Sequence, residues 1–166
     1  MLENITIWME SNESISVFIV PFFAFIESCV GIGLFVSGII LLTISTYLYN
    51  QGFATVSQII PLAFIGAIIG DHVGFYLGCW LGPRFHDSRF AQKHSQRIAK
   101  TEKLIREKGV YAIFIGRLIP AVRSLVPLMT GISGFQRRRY TIFDGLACAI
   151  WASLLGVLVV GIDQFI

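Results

Sequence analysis

Apolar and polar positions fall into blocks along this chain, and the apolar blocks are of membrane dimensions. Residues 1–16 are polar with apolar positions at Ile5, Ile7, Trp8 and Met9, the pattern of a short interfacial segment. Residues 17–49 are apolar with a single charge, Glu27, and are interrupted by Gly31, Gly33 and Gly38. As one straight helix they would run about 50 Å, against a hydrocarbon core of about 30 Å. A re-entrant hairpin of two half-length arms with a glycine-rich tip fits better. Residues 50–58 are a polar, uncharged loop. Residues 59–82 have the length of one transmembrane helix. Residues 83–108 are densely charged and predict a basic, amphipathic cytoplasmic helix. Residues 110–134 are apolar again, yet hold Arg117, Pro120, Arg123, Pro127 and Gly131. Residues 140–163 predict a final transmembrane helix, with Asp144 near its start.

Charge decides how these blocks are threaded. Of the 13 lysines and arginines none precedes Arg84, eight lie between Arg84 and Lys108, and three form the run Arg137-Arg138-Arg139. Basic loops stay on the cytoplasmic side. If residues 110–134 crossed the membrane, the two basic runs would face opposite sides. A second re-entrant hairpin, entering and leaving from the cytoplasm, keeps them together. Its prolines agree, because broken backbone is tolerated at membrane depth where it is buried or lines a cavity. The expected fold is an all-α integral membrane protein. It is an inverted repeat of re-entrant hairpin plus transmembrane helix, with the basic helix between the halves. Such repeats place a site near the midplane. Phe25-Ile26-Glu27 before the first tip and Ile115-Gly116-Arg117 before the second are a weak internal parallel.

Composition supports the membrane reading. The chain has 166 residues, 55% hydrophobic and 14% charged, against roughly 45–50% and about 25% in soluble domains. Its mean hydropathy is +0.73. The N-terminus is acidic (Glu3, Glu10, Glu13), unlike a signal peptide. Cys29, Cys79 and Cys148 each sit in an apolar run, with no disulfide framework or metal spacing, so no metal or cofactor is expected. The basic stretch lacks interleaved aromatics, which favours anionic lipid over nucleic acid as its partner. Gly66, Gly70, Gly74, Gly78 and Gly82 recur every four residues, a ladder that lets helix backbones approach. The ladder can serve within one chain or between copies in a homo-oligomer.

The chemistry lies in the charges at membrane depth: Glu27, Asp71, Arg117 and Arg123. A charged side chain at a helix centre costs about 2.5–3.5 kcal/mol on insertion scales. Two acids can pair with two arginines and lock the fold. The same pairs can open for a charged ligand. A guanidinium stays charged and its planar fork matches phosphate oxygens, so Arg117 and Arg123 are the candidate phosphate-binding residues. A break at Pro120 lets them converge. Glu27 and Asp71 are the candidate charge partners and proton carriers. His72, beside Asp71, either shares that role or is a hydrogen-bonded packing residue. His86 and His94 are expected to be solvated. No nucleophile–base arrangement, Cys-x-x-Cys or phosphate loop is present, so no enzymatic activity is expected.

The run Phe114-Ile-Gly-Arg117-Leu-Ile-Pro120-Ala-Val-Arg123-Ser124-Leu-Val-Pro127-Leu-Met-Thr-Gly131 resembles the signature of the DedA family, also called SNARE-associated or VTT-domain proteins. Gly66-Ala-Ile-Ile-Gly70-Asp71-His-Val-Gly74-Phe-Tyr76-Leu-Gly78 resembles its glycine–aspartate element, and Tyr140 to Trp151 its C-terminal element. The resemblance covers about residues 20 to 160 and adds Ser124 to the secondary candidates. Val36-Ser37-Gly38-Ile39 stands where the family carries a second acid, and Asp144 where asparagine is common, which offers a replacement acid. The resemblance implies a bacterial inner-membrane, multi-pass protein that moves a phosphate-bearing lipid. That lipid would be undecaprenyl phosphate or a glycerophospholipid such as phosphatidylethanolamine, and Glu27 and Asp71 would add proton coupling. The alternatives are a proton or cation pathway supporting membrane potential, and a non-transporting assembly factor.

Overall fold

The computed structural model describes residues 16–30, 33, 38–119 and 122–163. The interfacial segment expected over 1–16 lies, apart from Ser16, outside the described residues. So do Pro120 and residues 31–32 and 34–37, around the expected glycine-rich tip.

Every regular element among the described residues is helical. Helix α1 (Ile19–Ser28) and α2 (Gly38–Asn50) have 10 and 13 residues, about 15 and 20 Å at 1.5 Å per residue. Helix α3 (Val56–Leu81) has 26 residues. A 3₁₀ turn (Gly82–Asp87), α4 (Arg89–Lys93) and α5 (Ser95–Lys108) follow. The 8-residue helices α6 (Tyr111–Leu118) and α7 (Leu125–Ile132) precede the long α8 (Arg137–Asp163). Only α3 and residues 137–162 of α8 are long and apolar enough, among the described residues, to cross a membrane.

Local chemistry explains the boundaries, including those the pattern misplaces. The loop expected over 50–58 ends early. The Thr55 backbone N–H donates to Gln58 Oε1 at 2.9 Å, one arm of a capping box, so Ser57 and Gln58 belong to the first turn of α3. The single basic helix expected over 83–108 is instead three pieces. Gly82 takes φ +53 and ends α3, and Pro83 follows it. The Ser88 hydroxyl accepts from Ala91 N–H at 3.1 Å and starts α4, and His94 separates α4 from α5. In α5 the buried positions are Ile98, Thr101 and Ile105, while Arg97, Lys100, Lys103 and Arg106 are exposed. Helix α6 stops at Leu118 because Ile119 is extended ahead of a proline. Pro127 sits in the first turn of α7, where its missing N–H costs no helical hydrogen bond.

Helix α3 is the central strut, contacting α1, α7 and α8. Its glycine ladder is occupied from within the chain. A Cβ at Gly66 would strike the Pro21 carbonyl, and one at Gly70 would lie 2.8 Å from the Phe25 carbonyl, so these two seat α1. A Cβ at Gly78 would strike the Leu128 carbonyl, and one at Gly74 would lie 3.3 Å from Pro127 Cβ, so these seat α7. Gly82 has nothing within 4 Å and is no rung of the ladder. Helix α8 runs antiparallel to α3, with Tyr140 stacked on Phe75 at 4.1 Å at one end and Gly156 against Ile60 at the other. One apolar cluster joins α1, α2, α3 and α8 through Val20, Leu41, Ile59 and Leu155. Another joins α5, α6 and α7 through Ile98, Ala112 and Leu128. The outer faces of α3 and α8 are exposed and apolar: Ile65, Ile69, Val73 and Trp80 on one, Ile142, Ile150 and Val157 on the other.

Candidate functional site

The four charges expected at membrane depth come together in two linked groups. Arg117, in the last turn of α6, is 8% exposed. Its Nη1 donates to Asp71 Oδ2 on α3 and lies 3.4 Å from Asp144 Oδ1 on α8. Arg123, in the turn before α7, donates from Nη1 to Glu27 Oε1 in the last turn of α1. Its Nη2 lies 3.4 Å from Ser28 Oγ. The acids are buried: Glu27, Asp71 and Asp144 are 4%, 1% and 1% exposed. One short helix and the turn before the next thus carry the guanidiniums to acids on three other elements.

A single aromatic ring joins the groups. The Trp151 ring centroid on α8 lies 4.8 Å from the Arg123 guanidinium carbon and 5.6 Å from that of Arg117. Such cation–π contacts strengthen when desolvated. Asp144, Cys148 and Trp151 are spaced i, i+4, i+7 and so lie on one face of α8. Cys148 Sγ is 3.7 Å from Asp71 Oδ2 and 3.9 Å from Asp144 Oδ2. Asp71, Asp144 and Cys148 therefore bring three potential metal ligands within 4.8 Å of one another. Arg117 already supplies the cation to both carboxylates there. Neither Trp151 nor Cys148 figured as a site residue in the sequence reading. Their spacing from Asp144 was the available signal.

The secondary candidates separate. His72 is tied in: Nδ1 donates to the Ile68 carbonyl at 2.9 Å, Nε2 lies 3.1 Å from Thr141 Oγ1, and Nδ1 is 3.5 Å from Asp144 Oδ2. Asp144 joins Asp71 at Arg117, not Glu27 at Arg123. The place beside Glu27 is held by Gly38, where a Cβ would lie 2.7 Å from Oε1. Ser124 is buried next to Arg123 with no hydrogen-bond partner for its hydroxyl among the described residues. His94 is half-buried in the break between α4 and α5.

The cluster is closed but not saturated. Arg117 Nε and Nη2, Arg123 Nε and Glu27 Oε2 are buried without a hydrogen-bond partner among the described residues. Arg117, Arg123, Tyr140, Asp144, Ile113, Val126 and Pro127 line a cavity of about 10 Å³, the room of about one water. A closed cluster with both arginines paired also fits a structural role, in which the pairs hold the helices together.

The sequence profile of the VTT domain matches residues 30–161. The chain is 26% identical to an uncharacterized membrane protein of Buchnera aphidicola from Schizaphis graminum, over 82% of this chain and 54% of that one. It is 26% identical to the inner membrane protein YabI of Escherichia coli K12, over 77% and 50% of the two chains. It is 29% identical to the inner membrane protein YqjA of the same organism, over 75% and 57%. The chain thus spans about half the length of the curated relatives it matches. No solved structure matches it. With the profile covering most of the chain, and with two membrane-length helices around a buried arginine–acid cluster, this is a membrane protein that belongs to the VTT-domain, or DedA, family.

Proposed function

We propose that this protein moves a phosphate-bearing lipid across a bacterial inner membrane, with Arg117 and Arg123 taking the phosphate. The observation that carries this reading is the set of guanidinium N–H groups, Arg117 Nε and Nη2 and Arg123 Nε, buried without acceptors among the described residues beside one small cavity. Buried donors without partners are rare, and each calls for an explanation. A phosphate oxygen is the acceptor that planar guanidiniums suit best. The acids act as placeholders. Glu27 holds Arg123, and Asp71 with Asp144 holds Arg117, until the headgroup displaces them.

In this reading α1–α2 and α6–α7 are re-entrant hairpins, because helices of 8 to 13 residues do not span about 30 Å. Each hairpin with the long helix after it forms one half of an inverted repeat. The basic loops face the cytoplasm. Rocking of one half against the other exposes the cluster alternately. Among the described residues three carboxyls face two guanidiniums, and that uneven charge lets lipid movement couple to the proton gradient. The protein performs no covalent chemistry. The lipid is undecaprenyl phosphate or a glycerophospholipid such as phosphatidylethanolamine.

The test is leaflet accessibility of each labelled lipid in proteoliposomes, with and without a pH gradient. Wild type is expected to move one of the lipids, and Arg123→Gln to move neither. Normal movement by a well-folded Arg123→Gln would end the proposal. A second reading, a proton pathway, draws on the His72–Asp144 contact at 3.5 Å. Proton leakage without lipid movement, lost in Asp144→Asn, would favour it.

A further inference from the structure

Outside the arginine cluster, the outer face of α3 carries a second feature. Ile68, Ile69, His72, Val73, Tyr76 and Leu77 form a shallow, open and almost wholly apolar groove along one face of that helix. One end of the groove is marked by charge. Arg137, in the first turn of α8, sits with its guanidinium carbon 5.7 Å from the centroid of the Tyr76 ring, so one residue both lines the groove and holds a cation at its mouth. Arg138 and Arg139 are exposed beside it, and the first turn of α8 contains no acid. Three arginines at the positive end of a helix dipole are unfavourable by themselves, and an anion there relieves them. Trp80, one turn beyond Tyr76, is 81% exposed, as suits a residue at the aromatic level where headgroups meet acyl chains.

We infer that this face binds one anionic glycerophospholipid, with its phosphate on Arg137 and Arg138 and an acyl chain along Ile69, Val73 and Leu77. The groove's chemistry selects the occupant. A shallow apolar face beside exposed apolar residues suits a hydrocarbon chain. Tyr76 then places the arginine where that chain's phosphate must lie. The site is separate from the Arg117–Arg123 cluster and does not depend on lipid movement. His72 lies between the two, reaching the groove on one side and Asp144 on the other.

The test is native mass spectrometry of the purified chain, released from micelles holding equal amounts of phosphatidylglycerol and phosphatidylcholine with matched acyl chains. Wild type should retain one phosphatidylglycerol with at least about fivefold preference, the effect of about one arginine at the headgroup level. The double change Arg137→Gln and Arg138→Gln should bring the two lipids to parity, while Arg137→Lys keeps the preference. Val73→Trp, which fills the groove, should lower retention of both. Lys100→Gln with Lys103→Gln on α5 should change nothing. Equal retention of the two lipids by wild type would overturn the inference. So would a preference that survives the arginine changes, or one that is lost in the α5 variant instead.

Discussion

Trp151 touches both guanidiniums, and each of those guanidiniums is also held by an acid, so the residues of the cluster act as one unit. Removing one partner of a buried ion pair strands the other and costs about 3–5 kcal/mol, whereas neutralising both costs much less. Arg123→Gln alone should therefore lower the thermal midpoint strongly, and Arg123→Gln with Glu27→Gln should recover most of that loss. Lipid movement should stay abolished in both, because the double change restores stability without restoring a phosphate ligand. Trp151→Leu should weaken both stability and movement, and Trp151→Phe should retain part of each, since the ring face is what the guanidiniums meet. Melting curves beside a transport assay check both. The four primary charges were legible because charge at membrane depth stands out in any apolar run. Trp151 and Cys148 were not. A tryptophan or cysteine in a transmembrane helix has no signature of its own, and only Asp144, four and seven residues earlier, points to their face of α8.

The glycines along the two long helices are of three kinds. At Gly66 and Gly78 an added methyl would strike a neighbouring backbone carbonyl, which cannot move aside. Alanine at either position should cost about 1–3 kcal/mol and should loosen α1 or α7 from α3. Gly161, with nothing within 4 Å of an added Cβ, should accept alanine without loss. Unfolding followed by helical circular dichroism in micelles would show the contrast. The four-residue spacing revealed the ladder in the sequence, but spacing alone wrongly extended it to Gly82, whose φ of +53 makes it the helix terminator. The long helices were legible from their lengths. The division of the basic stretch was not, because a proline after a glycine, a serine cap and a histidine break are local events inside one uniform charge pattern.

For the molecule as a whole, the bias of basic residues predicts the orientation, and the proposed function rests on the buried cluster. An impermeant maleimide should label Lys103→Cys, on the exposed face of α5, from the cytoplasmic side only, and inside-out against right-side-out vesicles tests that directly. The central claim is that Arg123 serves more than its partner Glu27. The most direct measurement exchanges the two, Arg123→Glu with Glu27→Arg, and follows lipid movement in proteoliposomes. The exchanged pair keeps the attraction and the net charge but moves the guanidinium from the turn before α7 to the end of α1. The account predicts a folded protein that no longer moves lipid. Movement at the wild-type rate would mean that the ion pair serves only to hold the helices together, and would contradict the account.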